Sequence, residues 1–284
     1  MTEVWVIAGY GIREAVRRRV FLVVLVLTVL FLALFWLANH FVFRTVDTIV
    51  PPEGVSPRTF AGAFMLGLGM FGVLFLGVVL GVFLTLGVVR GDAERGLLQP
   101  LVVRPVGRST LLFARWLGAA VVSGVYVLGI YFAVMLITGA TGHWWPGRIV
   151  SPGLELAVGV AIVCALSLLG SIFLSPTANG IAIFMLFGAG LVAGLLDTIG
   201  HLLESHRLLQ GAKAISWAIP FEALYQDALH LITVGTSFFV AGFALRLGPF
   251  GGTESGGMAL RLWALAYLVA VAAVAALSFS RRDL

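Results

Sequence analysis

The sequence predicts an all-α integral membrane protein with six transmembrane helices and both termini in the cytoplasm. Three features predict it: scarce charge, six long apolar stretches and an uneven distribution of arginine. Of the 284 residues, 60% are hydrophobic and 11% are charged, whereas soluble domains carry about 25% charged residues. Too little charge remains to cover a water-facing globule, so most of the surface must contact lipid.

Six stretches are apolar over the roughly 20 residues that a helix needs to cross a bilayer. They comprise residues 20–43, 61–89, 110–138, 154–174, 181–199 and 259–280. A further apolar stretch at 231–247 is short and is interrupted by glycine and hydroxyl residues. We interpret it as re-entrant or interfacial rather than as a seventh span. It belongs to an extracytoplasmic segment, residues 200–258, that precedes the last span.

The orientation follows from the arginines, because cytoplasmic loops of membrane proteins are enriched in basic residues. Most of the 18 basic residues lie in three places: the N-terminal segment, the loop after the second span and the C-terminus. These are Arg13, Arg17, Arg18, Arg19, Arg90, Arg95, Arg104, Arg108, Arg115, Arg281 and Arg282. The net charge of +5 therefore reflects retained cytoplasmic arginine rather than nucleic-acid binding.

Residues 1–19 form a separate piece before the first span. Apolar residues fall near one helical face and charged residues lie away from it, which predicts an amphipathic helix on the inner membrane surface. The alternative is a simple cytoplasmic stub. The only cysteine, Cys164, excludes an internal disulfide and a cysteine-based zinc site.

Nothing in the sequence indicates that the chain captures energy by itself. Between their ends the predicted spans lack the titratable side chains that proton-driven transporters usually carry. A P-loop needs a lysine followed by Ser or Thr, but the only lysine, Lys213, precedes Ala214. His201, Glu204 and His206 do not match a metal motif, because their spacing does not place all three on one helical face. Any ATP site is therefore expected on a partner.

The cytoplasmic loop at 90–109 is the most informative segment. Asp92 is positioned to cap a short helix that contains Glu94 and Arg95. A short charged helix in a tight loop offers a docking site for a cytoplasmic protein. The alternative is a solvated loop that merely obeys the arginine rule.

The order of residues in and after this loop resembles the signature of ABC-2-type ABC transporter permeases. The matching residues are Glu94, Arg95, Gly96, Leu98, Arg104, Pro105, Arg108 and Arg115. Arg115 stands where the family usually has lysine, and Pro100 is additional. The resemblance extends over 1–284 as a single transmembrane domain. Residues 220–225, reading PFEALY, are especially similar to the permease of nitrous oxide reductase maturation systems.

The resemblance implies a membrane unit of two permease subunits, the second one identical, with two ATP-binding subunits that carry ATP and Mg. It implies a non-enzymatic transport subunit without a cofactor of its own, surrounded by lipid in the bacterial cytoplasmic membrane. The expected contacts with the ATPase are Asp92, Glu94, Arg95, Gly96, Arg104, Pro105 and Arg108. A second, smaller cytoplasmic contact is expected at Ser175, Pro176 and Asn179.

Two pairs of glycines recur at the four-residue spacing that lets helices approach closely: Gly77 with Gly81, and Gly190 with Gly194. They either serve a dimer contact or a transport path, or they pack helices within one subunit.

Three functions remain open at this point. The first is the permease of an ATP-driven exporter. The second is a mechanotransmitter that acts on an extracytoplasmic protein without moving a solute. The third, a secondary carrier or membrane enzyme, is disfavoured by the lack of titratable residues within the spans.

Overall fold

A computed structural model describes residues 19–48, 56–86, 108–232 and 256–280. Within these ranges the regular structure is helical, with eight α-helices and one short 3₁₀ helix at Val46–Thr48. The α-helices are α1 Arg19–Arg44, α2 Pro57–Thr85, α3 Arg108–Gly142, α4 Ser151–Phe173, α5 Pro176–Leu202, α6 His206–Ala218, α7 Pro220–Ile232 and α8 Gly257–Ser280. The predicted amphipathic helix at 1–19 and most of the apolar stretch at 231–247 lie outside the described residues.

Six of these helices, α1 to α5 and α8, are long and apolar enough to cross a membrane, which confirms the predicted number of spans. All six begin earlier than predicted, and the difference is largest for α2 and α5. α2 begins at Pro57 because Ser56 caps it, its side chain accepting a hydrogen bond from Thr59 N at 3.1 Å. α5 begins at Pro176, where Ser175 Oγ accepts from Ala178 N at 3.4 Å. A proline at the first helical position fits both starts.

Successive long helices run in alternate directions. Gly69 of α2 lies against Val134 of α3, and Gly77 lies against Val127, so these two helices are antiparallel. α4 runs parallel to α2, since Val160 lies against Gly77 and Cys164 lies against Gly81. The starts of α1 and α3 and the ends of α2, α4 and α8 consequently share one end of the bundle. We call it the inner end, because the arginine rule predicts that it is cytoplasmic.

α2 is the central helix. In its most apolar window 67% of the residues are buried, against 17% for α1 and 22% for α8. Its core side chains include Leu66, Met70 and Val78, which are fully buried between α3 and α4. α1 and α8 are peripheral, and their exposed apolar side chains form a surface suited to lipid.

α6 and α7 fold back against the bundle from its outer end. Leu209 of α6 lies beside Gly200 near the end of α5. The Phe221 ring at the start of α7 stacks on Phe187, and the Phe221 backbone approaches Gly159. Gly159 is about 12 Å along α4 from its first residue. α7 is almost entirely buried, so it belongs to the helical core rather than to an exposed loop.

Candidate functional site

The predicted coupling loop connects α2 and α3 at the inner end. Asp92, Glu94, Arg95, Gly96, Arg104 and Pro105 lie outside the described residues, and their role stays a prediction. Arg108 is the first residue of α3, and its side chain is not described. The structure does describe the helix ends on either side of the loop, which are the last turn of α2 and the first turn of α3.

A buried hydrogen-bond network joins the last turn of α2 to α4 and α5. Thr85 Oγ1 is hydrogen-bonded to Ser167 Oγ at 2.8 Å. Asn179 Nδ2 donates to the Ser167 carbonyl oxygen at 2.8 Å and lies 3.4 Å from Ser167 Oγ. All three residues are at most 1% exposed. The network therefore links the end of α2, which precedes the predicted coupling loop, to two other spans.

The structure buries Asn179, one of the residues of the predicted second cytoplasmic contact, and that contact stays a prediction. Asn179 is fully buried and donates to Ser167, so its side chain is not available to a partner in this structure. The reason is its place one turn into α5, on the face that packs against Gly170 of α4. Ser175 is exposed and Pro176 is half-buried, and a contact through these two residues stays a prediction.

Replacing Asn179 with alanine should lower the free energy of unfolding by about 1–2 kcal/mol, because a buried interhelical hydrogen bond is lost and a small cavity remains. Thr177→Ala is the matched control, since Thr177 is exposed on the same helix, and it should change stability by less than about 0.5 kcal/mol. Unfolding midpoints of the two variants in one detergent compare them. Equal midpoints would argue against a structural role for the network.

The predicted glycine pairs lie at contacts within one subunit. A Cβ atom on Gly77 would stand 2.4 Å from Val127 Cγ2, and one on Gly81 would stand 2.7 Å from Cys164 Sγ. Gly190 lies against Phe221, and Gly194 is buried. The close approaches of Gly77, Gly81 and Gly190 are thus made to α3, α4 and α7 of the same chain.

An ion-paired cluster at the outer end joins three helices. The Arg261 guanidinium of α8 donates to Glu155 Oε1 of α4 through Nε at 3.1 Å and Nη2 at 2.8 Å. Arg261 Nη2 also lies 3.5 Å from Asp227 Oδ2 of α7. The Glu155 and Asp227 side chains are 7% and 2% exposed, whereas that of Arg261 is 42% exposed. Two buried carboxyl groups therefore share one partly exposed guanidinium.

Asp227 also caps α8. Its Oδ1 accepts from the backbone N–H of Gly256 at 3.0 Å and of Gly257 at 3.4 Å. These are N–H groups that no carbonyl of the helix itself can satisfy. A carboxylate at a helix N-terminus also interacts favourably with the helix dipole. α7 thereby fixes both the start of α8 and its first charged side chain.

The rest of α7 carries further buried polar groups. Gln226 Nε2 donates to Glu222 Oε1 at 2.7 Å. Burial, followed by the nearby Glu222 carboxyl, raises the pKa of Tyr225, so the phenol remains protonated at neutral pH. These contacts let a helix with several polar residues remain in the core.

The sequence interpretation missed this cluster, although a signal exists. Glu155 and Arg261 each lie in the first turns of an apolar span, at the same end of the bundle. An arginine at the outer end of a span departs from the positive-inside rule and needs a partner when it is partly desolvated. A carboxylate at the same level of another span is the natural candidate.

An apolar groove of about 340 Å³ separates the middle of α8 from α3 and α4. It is lined by Leu112, Phe113, Trp116, Ala165, Leu168, Leu268, Val269, Ala272, Ala275 and Ala276. Phe113 and Val269 are exposed, so the groove opens sideways onto the surface of the bundle that is expected to face lipid.

In the described part of the chain, no three histidine, cysteine or acidic side chains converge in a way that could hold a metal ion. The side chain of His201, one of the three residues weighed above, lies outside that part.

Comparison with known proteins places the chain in a family. No curated protein shows a significant match. A family model described as ABC-2 family transporter protein matches residues 5–284, which is nearly the whole sequence and includes all six spans, the loop at 90–109 and the helices α6 and α7. The chain therefore belongs to the ABC-2 family of transporter proteins.

Proposed function

We propose that this chain is the transmembrane permease subunit of an ATP-driven exporter, working with a separate ATP-binding subunit. Family membership makes it a membrane permease component of an ABC system. The observation that carries the finer proposal is the connection of the charged 90–109 loop to the central helix. α2 leads directly into that loop, and the hydrogen bond from Thr85 to Ser167 ties its end to α4.

In this mechanism two ATP-binding subunits, which hold ATP and Mg, close when ATP binds and push on the inner loop. Because α2 packs closely on α3 and α4, a displacement of its inner end moves all three helices together. Two copies of the chain form the membrane unit in the bacterial cytoplasmic membrane. The substrate passes between them or leaves sideways into lipid.

The first test is purification of the full chain from native membranes with everything that remains bound to it. We expect a separate ATP-binding protein to be retained. Charge reversal Glu94→Arg should lower the ATP hydrolysis of the complex by about tenfold, because it removes the charge complementarity expected at the docking site. Glu204→Arg, at an exposed position after α5, is the control and should leave hydrolysis unchanged. Full docking and turnover in Glu94→Arg would contradict the proposed role of the loop.

The second candidate function is mechanotransmission to an extracytoplasmic protein. The outer helices favour it, because α7 is bonded to α8 through Asp227, and Arg261 links α8 to α4. Such a connected outer unit could pass movement of the spans to a partner. A stable partner retained on the outer face would support this function, and direct solute transport by the complex in liposomes would exclude it as the sole role.

A further inference from the structure

α8 packs on the bundle in two small clusters, one near each end, and borders an apolar groove along its inner half. Near the outer end it packs in a small cluster with α4 and α7, made of Ile162, Ala223, Leu224, Leu260 and Ala264. Near the inner end it packs in a second cluster, made of Leu112, Leu168, Ile172, Ala275 and Phe279. The groove of about 340 Å³ lies along α8 toward its inner half. A helix beside such a gap lacks the dispersion contacts of a close-packed interior.

The polar contacts of α8 strengthen the outer attachment. Arg261 donates two hydrogen bonds to Glu155 and lies 3.5 Å from Asp227. Trp263 Nε1 adds a hydrogen bond of 2.8 Å to the Trp217 carbonyl oxygen at the end of α6. The carboxyl groups of Glu155 and Asp227 are buried, and among the described residues Arg261 is the cation that lies within ion-pair distance of both.

We propose that Arg261 is a positioning residue, the centre of an outer latch formed with Glu155 and Asp227. The latch holds the outer part of α8 against α4 and α7 in the closed state, and its separation accompanies opening of the outer end. The Arg261 side chain is 42% exposed, whereas the Glu155 and Asp227 side chains are buried, so separation leaves the two buried carboxyl groups without their cation. This loss favours the closed state.

The statement that the latch opens during a transport cycle rests on the proposed function. The latch itself is a property of the single chain, and it is tested without an ATPase.

The test measures access to the interface that the latch closes. Ala223 of α7 is 7% exposed and packs in the outer cluster with α4 and α8, so Ala223→Cys is the probe. The native Cys164 is buried and contributes little background. Lys213→Cys on the exposed side of α6 is the accessible control. Purified full-length protein in lipid nanodiscs, without ATPase, is reacted with a polar maleimide.

In the otherwise unchanged chain, we expect the cysteine at position 223 to react slowly and the cysteine at position 213 to react fast. Arg261→Met should raise the reaction rate at position 223 by about tenfold. The expected increase is moderate because Arg261 is partly exposed, and exposure weakens an ion pair. Arg261→Lys keeps the charge without the paired hydrogen bonds and should give an intermediate rate. The rate at position 213 should not change. An unchanged rate at position 223 in Arg261→Met would overturn the proposal.

A triple variant separates a latch from a merely structural charge pair. Arg261→Met with Glu155→Gln and Asp227→Asn removes all three charges and keeps an oxygen that can cap α8. We expect its melting temperature to return close to that of the parent, while position 223 remains reactive. If the triple variant restores both the melting temperature and the slow reaction, the ions only neutralise each other and the latch is refuted. Should Arg261→Met alone fail to fold, the triple variant and Arg261→Lys decide the question.

A failure of the proposed function has a different signature. No ATP-binding protein would be retained on purification, while the reaction rates at position 223 would still follow the charge at position 261.

Discussion

Gly77→Ala is expected to lower the free energy of unfolding by about 2–3 kcal/mol, although alanine is the better helix former. The added Cβ would stand 2.4 Å from Val127 Cγ2 and 3.0 Å from Val160 Cγ2. Both neighbours are fully buried, β-branched side chains on other helices, and such side chains have few alternative rotamers. α2 must therefore move away from α3 or α4, and contacts along the core are lost.

Gly129→Ala is the matched control. Gly129 lies in α3, and a Cβ there would meet nothing within 4 Å. The same chemical change should therefore stabilise the helix by up to about 1 kcal/mol. Measuring the unfolding midpoints of both variants in the same detergent should show a loss of stability for Gly77→Ala and no loss for Gly129→Ala. A similar effect of the two substitutions would show that the α2–α3 contact is not as close as described.

The double variant Gly77→Ala with Val127→Ala tests the cause of the loss. Removing the Val127 methyl groups makes room for the new Cβ, so the effects of the two single changes should not add. We expect the double variant to be more stable than their sum predicts by more than about 0.5 kcal/mol. Strict additivity would mean that the loss at position 77 has another origin.

The six spans could be predicted from sequence because lipid cannot hydrogen-bond the backbone, so a crossing segment must be helical and about 20 residues long. This length criterion does not locate the first and last residues of a helix. The starts of α2 and α5 are determined by the Ser-Pro pairs at Ser56 and Ser175, which a hydropathy pattern does not detect. Both predicted starts were consequently several residues too late.

The burial of α7 could not be predicted from its own composition. Glu222, Gln226 and Asp227 are residue types that usually lie on the surface. Gln226 donates to Glu222 within α7, whereas Asp227 is buried with partners from elsewhere in the fold, the Gly256 N–H and Arg261. Periodicity within one segment cannot identify partners about 30 residues away. The sequence interpretation therefore included α7 in an outer segment and placed its re-entrant candidate later in the chain.

The glycine pairs show an intermediate case. The spacing of Gly77 and Gly81 predicts close helix packing, but the spacing does not distinguish a second copy of the chain from another helix of the same chain. The structure gives Val127 and Cys164 of the same chain as the neighbours. The coupling residues from Asp92 to Pro105 rest on sequence alone, because they lie outside the described residues.

Asp227→Leu is expected to lower the free energy of unfolding by about 3–4 kcal/mol, because it removes two contacts of the same carboxylate. Oδ1 caps the first N–H groups of α8, and Oδ2 lies 3.5 Å from Arg261. Leucine has a similar size, so packing is largely kept and the loss reports the polar contacts. The Gly256 and Gly257 N–H groups would then lack their acceptor in a partly buried site.

Two controls assign the loss to these contacts. Asp47→Leu is the same chemical change at an exposed position after α1 and should alter stability by less than about 0.5 kcal/mol. Asp227→Asn keeps the acceptor for the cap and removes only the charge, so it should lose less than half as much as Asp227→Leu. Thermal unfolding of the three variants in one detergent ranks them by stability. If Asp227→Asn were as destabilised as Asp227→Leu, the charge facing Arg261 would account for the whole effect, and the cap would contribute nothing measurable to the attachment of α8.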